Sequence, residues 1–272
     1  MYCTHFTYNG DSTEDHGVMI CSFNGGDEEP VNGGKVEITS VKAPNSNKWI
    51  KTNATYKEPL TFSFEICKDP CSIIGSQNKF AFSPSDQVEM KRWLERKESH
   101  YLTFDDGDME NIYFNSQIKL TEQKKGGQVI GYKLDVTCDA PWGWSEERIA
   151  NLYSQKDESG NEIGIVELFD ASDEIGNVVP TVELTAINDG TIELYNDNTT
   201  DTTIILNCKA GEVITMTEPF RIHSNIEHKN LRDDFNWVYP RIQNSYTSNR
   251  NTFELINCKV KISWREPRKA VI

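Results

Sequence analysis

The strongest constraint on this chain is a repeated alternation of apolar and polar residues in short runs separated by turn residues. Leu60-Thr61-Phe62-Ser63-Phe64-Glu65-Ile66 and Tyr132-Lys133-Leu134-Asp135-Val136-Thr137-Cys138 send every second side chain to one face. Val36-Glu37-Ile38-Thr39, residues 182–185 and parts of 253–264 follow the same pattern. Period two is the signature of a strand with one face on a core and one in water. Between the runs stand Asn24-Gly25-Gly26, Asn32-Gly33-Gly34, Lys125-Gly126-Gly127, Ser159-Gly160-Asn161 and Asn188-Asp189-Gly190. Each supplies a residue that tolerates the positive φ of a tight hairpin. Strands in succession without helices between them predict antiparallel sandwiches or barrels.

One segment breaks the pattern. Ser83-Pro84-Ser85-Asp86 offers an N-cap, a proline where no N–H is needed and an acid facing the positive helix end. The spacing of Met90, Trp93 and Leu94 predicts a helix from about 84 to 98 whose tryptophan face lies on a sheet. Lys91 and Glu95 are spaced to pair on its outer side. Further on, Cys138-Asp139-Ala140-Pro141-Trp142-Gly143-Trp144 interrupts any strand and predicts a boundary, with the two tryptophans packing between two bodies. The expected domains are 1–138 and 139–258.

Composition narrows the function. Of 272 residues, 26% are charged and 37% hydrophobic, which suits a folded body. Lys plus Arg is 28 and Asp plus Glu is 42, a net charge of −14, which argues against binding duplex DNA or an anionic membrane surface. No apolar run is long enough to span a bilayer. The opening residues Met1-Tyr2-Cys3-Thr4-His5-Phe6 have neither a basic nor an apolar leader region, so no secretory signal is expected there.

Catalytic chemistry is not visible. Seven widely spaced cysteines suit reduced thiols, and Cys67-Lys68-Asp69-Pro70-Cys71 reads as a turn carrying two thiols. His223 and His228 are five apart, which fits exposed loop histidines better than ligands on one face. Asp105-Asp106-Gly107-Asp108-Met109-Glu110 lacks the spacing of a calcium loop and suits a hairpin tip between Leu102-Thr103-Phe104 and Ile112-Tyr113-Phe114. Phosphate-binding, nucleophile-elbow and zinc-protease motifs are absent. No catalytic residue, metal ligand or cofactor site is expected.

Several pieces stand in a characteristic order over nearly the whole chain. The pieces are Phe6-Thr7-Tyr8-Asn9-Gly10, Asp15-His16-Gly17-Val18-Met19-Ile20, Lys91-Arg92-Trp93-Leu94 and Tyr132 through Trp142. They continue with Asn177-Val178-Val179-Pro180-Thr181-Val182-Glu183-Leu184, Ile192-Glu193-Leu194-Tyr195-Asn196 and Gly211-Glu212-Val213-Ile214-Thr215-Met216. The last are Phe235-Asn236-Trp237-Val238-Tyr239-Pro240-Arg241-Ile242 and Val260-Lys261-Ile262-Ser263-Trp264-Arg265-Glu266-Pro267-Arg268-Lys269. In this order the pieces resemble the distal tail protein family of phages with long non-contractile tails that infect Gram-positive bacteria. One departure is Thr247-Ser248-Asn249-Arg250-Asn251, where the family usually has a glycine shortly before the Asn-Thr of the turn.

The resemblance implies a mostly β fold with one helix. It would consist of an N-terminal ring, or belt, domain of β-sheets plus the helix, followed by a C-terminal galectin-like β-sandwich. Residues 259–272 would return to complete the first domain. It also implies a structural, non-enzymatic protein of the virion tail tip, assembled in the host bacterial cytoplasm as a homohexameric hub. Its partners would be the tail tube protein, the tail-associated lysin, the tape measure protein and the receptor-binding or baseplate proteins, without sequence-specific nucleic acid or membrane binding. Within Ala43-Pro44-Asn45-Ser46-Asn47-Lys48-Trp49, Lys48 and Trp49 are the candidate contacts to a neighbouring subunit or the tube. The alternative function is a carbohydrate-binding β-sandwich module used in host recognition, with Trp142, Trp144, Trp237 and Trp264 as the aromatic candidates.

Overall fold

The computed structural model describes residues 4–23, 36–44, 47–72, 80–105, 109–153, 155–156, 162–245 and 247–269. It divides into two compact units, Met1–Ser145 with Arg268–Ile272, and Glu146–Pro267. The turns expected at 24–26, 32–34 and 159–161 and the acidic residues 106–108 lie outside the described residues.

The first unit contains β1 (Phe6–Tyr8), β2 (Asp11–Ser12), β3 (Val18–Cys21), β4 (Val36–Lys42), β5 (Trp49–Tyr56) and β6 (Thr61–Lys68). Helix α1 (Pro84–Leu94), β7 (His100–Phe104), β8 (Tyr113–Lys125), β9 (Gln128–Cys138) and β10 (Gly143–Trp144) follow. Its main sheet has the order β2-β1-β7-β8-β9-β6-β3, with β10 joined to β8 at Trp144 and Tyr113. The alternation read from the sequence is realised here. Phe62, Phe64, Ile66, Phe114, Ile118, Tyr132, Leu134 and Val136 form one buried face. The β8–β9 hairpin closes through Gly126 and Gly127, both with positive φ (61° and 81°), as such a turn requires.

Helix α1 covers that face. Ser83 caps it: its hydroxyl accepts the Asp86 N–H at 3.2 Å while the Asp86 carboxylate accepts the Ser83 N–H at 2.9 Å. Met90, Trp93 and Leu94 are buried. The Trp93 ring stacks on Phe6 (5.6 Å, 4°) and on His16 (4.0 Å), and its indole N–H donates to the Tyr8 carbonyl at 3.1 Å. The helix is shorter than the expected 84–98. It ends at Leu94 because Glu95 leaves the helical region (φ −85°, ψ 88°) and turns its carboxylate to the Leu120 N–H of β8. Lys91 therefore pairs across to Glu122 at 3.2 Å and not with Glu95. Tertiary partners have outcompeted the last helical turn.

The second unit contains β11 (Arg148–Tyr153), β12 (Gln155–Lys156), β13 (Glu162–Phe169), β14 (Gly176–Val178), β15 (Thr181–Ala186), β16 (Gly190–Asn196), β17 (Asp201–Cys208) and β18 (Val213–Thr217). They are followed by β19 (Arg221–Ser224), the short helix α2 (Leu231–Asp234), β20 (Ile242–Asn244), β21 (Arg250–Ile256) and β22 (Cys258–Trp264), and the last strand, β23 (Pro267–Arg268), joins the main sheet of the first unit through β10. Two five-stranded antiparallel sheets, β11-β22-β15-β18-β19 and β12-β13-β21-β16-β17, share one core. Val182, Leu184, Ile214, Val260 and Ile262 of the first meet Ile192, Leu194, Ile205, Phe253 and Leu255 of the second. Residues 253–264 are two strands, separated at Asn257, whose φ of 54° reverses the chain.

Three details differ from the sequence reading. A second helix, α2, is present, though it is one turn long. Residues 258–264 pair with β11 and β15 inside the second unit, so the return to the first unit begins with β23, which pairs with β10. Residues 139–145 belong to the first unit, where Trp142 meets Tyr56 and Trp144 edge-on. Gly143 has no room for a side chain there: a Cβ would lie 2.3 Å from Ile112 Cγ2.

Asp86 links the helix cap to pH. Burial raises its pKa, but the 2.6 Å bond from Lys68 Nζ and the two bonds to Ser83 outweigh burial and hold it below the ordinary value. A depressed folded-state pKa contributes stability that is complete above the unfolded value of about 3.9 and disappears as pH falls through the folded value. Asp86→Asn should therefore lower stability at pH 7 and flatten the decline below pH 4, read by urea unfolding across pH. Ser83→Ala should cost about 1 kcal/mol in the same assay.

Candidate functional site

The β4–β5 ribbon of the first unit is built unlike the rest of the molecule. Its strands pair from Val36 with Tyr56 to Lys42 with Trp49, with one irregularity at Thr39 and Ser40. They form a two-stranded sheet of their own. Period two in Val36-Glu37-Ile38-Thr39 was expected to bury one face, and the structure contradicts that. Every residue of β4 and all of β5 up to Thr55 are exposed. Ile38 is 58% exposed, Ile50 54% and Trp49 69%. The pairs Val36–Tyr56 and Ile38–Ala54 share one face, and the pair Val41–Ile50 sits nearer the tip on the other.

The base of the ribbon is held. Tyr56 is half-buried and meets the Trp142 ring edge-on at 5.5 Å, and Lys57 pairs with Glu37 at 2.5 Å. Beyond that anchor the apolar side chains meet solvent from both faces. Isolated two-stranded hairpins are marginally stable in water, and free strand edges are ready templates for further pairing. Burial against a partner would gain about 1.5–3 kcal/mol for each side chain fully covered. Charged residues alternate with the apolar ones: Glu37, Lys42, Lys48 and Lys51.

Lys48 and Trp49, singled out from the sequence, are adjacent to the tip of this ribbon. They were expected in a polar loop. Trp49 is instead the first residue of β5, opposite Lys42, while residues 45–46 lie outside the described residues. The exposed Val36, Ile38, Val41 and Ile50 were missed, because alternation in a strand does not tell whether anything covers it.

Two other arrangements stand out in the second unit. Of the four tryptophans considered for sugar stacking, Trp264 is buried and Trp142 and Trp144 are half-buried, but Trp237 is exposed. Trp237 and the exposed Phe220 both have φ of 61°, a conformation L side chains rarely adopt. They flank Phe235 and Tyr239: Phe220 meets Tyr239 at 5.2 Å, Phe235 meets Tyr239 at 5.2 Å, and Phe235 meets Trp237 at 5.6 Å.

The second arrangement corrects the reading of His228, which is not an exposed loop histidine. Its side chain is 4% exposed, with Nδ1 at 2.7 Å from Glu212 Oε1 and Nε2 at 3.0 Å from Asp234 Oδ2. Burial lowers the imidazole pKa, but the two carboxylates outweigh burial and raise it above its ordinary value. Burial also raises Glu212, and bonds from the Lys209 N–H, the Ser224 hydroxyl and His228 more than offset this. The neighbouring Cys208 thiol is pushed up to about 12, mainly by burial. His223 is exposed, as expected, but lies on strand β19 and not in a loop.

No helix among the described residues is long and apolar enough to cross a membrane. The six described cysteines are free thiols, consistent with the reduced reading.

The described residues thus form two β units and a self-paired ribbon. The chain is a member of a phage tail protein family. Residues 1–140 match the family described as phage tail protein N-terminal domain, and residues 142–264 match the phage tail C-terminal domain. The fold is similar to the crystal structure of SPP1 Dit (gp 19.1), described as a paradigm of the hub adsorption apparatus in phages infecting Gram-positive bacteria. That similarity has a TM-score of 0.63 at 11% identity and covers 97% of this chain and 98% of that one. A Cry1Da tryptic core variant of Bacillus thuringiensis aligns with a TM-score of 0.24 at 10% identity over 99% of this chain and 52% of its own, too low to carry an argument. No curated protein matches the sequence.

Because Trp49 and Ile50 meet solvent, Trp49→Ala with Ile50→Ala should change the unfolding free energy of the chain by less than about 0.5 kcal/mol. Urea unfolding of the dilute protein checks this. Trp93→Ala, by contrast, should cost about 3–5 kcal/mol.

Proposed function

We propose that the protein is a hub of the tail tip in which copies join head-to-tail into a closed homohexameric ring. The ring connects the tail tube to the tail-associated lysin, the tape measure protein and the receptor-binding or baseplate proteins. The observation that carries this reading is the β4–β5 ribbon: a paired but uncovered element with apolar side chains on both faces. Family membership and the Dit-like fold support it. In a ring, each subunit presents two different faces, so a ribbon from one copy can be received by a complementary surface on the next. Lys48 and Trp49 fall at the reaching end. The protein performs no reaction in this account. Its work is to hold partners in register at the tail tip of a virion assembled in the host cytoplasm.

In this reading the domains are a ring-forming first unit and a β-sandwich, galectin-like in architecture, as second unit. The net charge of −14 suits a channel that DNA must traverse without sticking, since carboxylates repel phosphates.

A second reading rests on Trp237. An exposed indole held at positive φ against Phe235 is a platform on which a sugar ring can stack, and in this reading the second unit serves host recognition through saccharides as well as assembly. Glycan-array binding that is lost in Trp237→Ala supports this reading; an array without binding removes it.

The hub reading is tested by native mass spectrometry of the purified protein. A six-subunit species is expected, and Val41→Asp with Ile50→Asp should convert it to monomers that still unfold cooperatively. A wild-type protein that stays monomeric alone and with its tail tube partner would contradict the hub.

A further inference from the structure

We propose that Cys208, Glu212 and His228 form a binding site for one zinc-class divalent cation, with Asp234 orienting the imidazole from behind. The thiol sulfur, a glutamate oxygen and an imidazole nitrogen all lie within 4.8 Å of one another. The three residues come from neighbouring pieces of the second unit: Cys208 closes β17, Glu212 stands in the turn before β18, and His228 follows β19. Tetrahedral zinc with bonds of about 2.0–2.3 Å separates its ligand atoms by about 3.3–3.7 Å. The observed spacing brackets this value. Glu212 Oε1 and His228 Nδ1 stand 2.7 Å apart and need to open by about 0.6 Å, and the sulfur lies within 4.8 Å of its two co-ligands.

The donor set also selects the cation. A thiolate sulfur, an imidazole nitrogen and one carboxylate oxygen suit zinc or a related first-row ion, whereas calcium and magnesium take oxygen ligands. The surroundings are arranged as they are around bound metals. His228 Nε2 faces Asp234 Oδ2 at 3.0 Å, and Asp234 Oδ1 accepts from Asn207 Nδ2 at 2.9 Å. A carboxylate on the far ring nitrogen fixes the tautomer that leaves Nδ1 free to bind metal. Glu212 is steadied by the Lys209 N–H on Oε2 at 2.9 Å and the Ser224 hydroxyl on Oε1 at 2.7 Å. The sulfur has only long contacts, to the Ile205 and Leu206 carbonyls at 3.7 and 3.8 Å.

Binding replaces protons by metal. As the metal–sulfur, metal–nitrogen and metal–oxygen bonds form, the thiol proton and any proton on Nδ1 leave to solvent, and nothing is oxidised or reduced. Nε2 keeps its hydrogen toward Asp234. Water completes the fourth position. The cation would staple the β17–β18 turn to the segment that leads into α2.

The test uses the full-length protein, stripped with chelator and titrated with Co²⁺ as a spectroscopic substitute for Zn²⁺. One equivalent should bind with a thiolate-to-cobalt charge-transfer band, and Zn²⁺ should displace it. Zn²⁺ should also raise the thermal midpoint, and EDTA should reverse the rise. Cys208→Ser should abolish the band, and Asp234→Asn should weaken affinity about 10–100-fold. Cys67→Ser should leave the band unchanged, which excludes Cys67 as its source. Failure of the wild-type protein to bind, or a band that survives in Cys208→Ser, overturns the proposal. If Cys208→Ser does not fold, the wild-type spectrum decides: cobalt bound without a thiolate band counts against the site.

Discussion

An antiparallel ribbon of two strands satisfies only the backbone groups that face inward, between its own strands. The outer edges and most side chains are left to whatever lies beside it. In this protein that ribbon is β4–β5, and it carries Val36, Ile38, Val41, Trp49 and Ile50 into solvent. A third strand or a helix of the same unit could have covered it, as α1 covers the main sheet. Among the described residues it pairs only within itself, and it is tethered at its base by Tyr56 against Trp142. Such an element contributes little to its own subunit and much to a neighbour that receives it. That asymmetry between local stability and potential contact energy is what the hub account rests on.

The two units earn their stability independently of the ribbon. The first relies on an aromatic core in which Phe6, Phe62, Phe64, Phe104 and Phe114 meet edge-on or tilted, except that Phe62 stacks on Phe64, and Trp93 stacks on Phe6. The second buries the inner faces of two sheets against each other. A stable platform of this kind can hold an otherwise unsupported arm without unfolding when the arm is unoccupied.

Much of this architecture was legible from the residues. Alternation located the strands around Phe64, Leu134 and Leu184, and the glycines at 126–127 marked a hairpin that formed as read. The Ser83–Asp86 cap and the buried face of Met90, Trp93 and Leu94 were local signals and held. What failed had causes outside the local sequence. Glu95 left the helix for a backbone N–H of β8, a partner 25 positions away. The turn lacking its usual glycine closes without positive φ among its described residues, because the Ser245 hydroxyl accepts the Ser248 N–H. Val36 and Ile38 alternate just as core residues do, and nothing in the pattern records that their face has no cover. His228 reads as an exposed residue because its partners, Glu212 and Asp234, lie on different segments and converge on it only in the fold.

The central claim is that the ribbon of one copy seats on another copy. It is tested most directly by installing a photo-reactive phenylalanine analogue at position 49, mixing isotopically light and heavy protein, irradiating, and mapping the cross-linked peptides. The account predicts mixed light–heavy cross-links from position 49 to the first unit of a second chain. Cross-links confined to peptides of one isotopic label would show that the ribbon folds back on its own subunit and would contradict it.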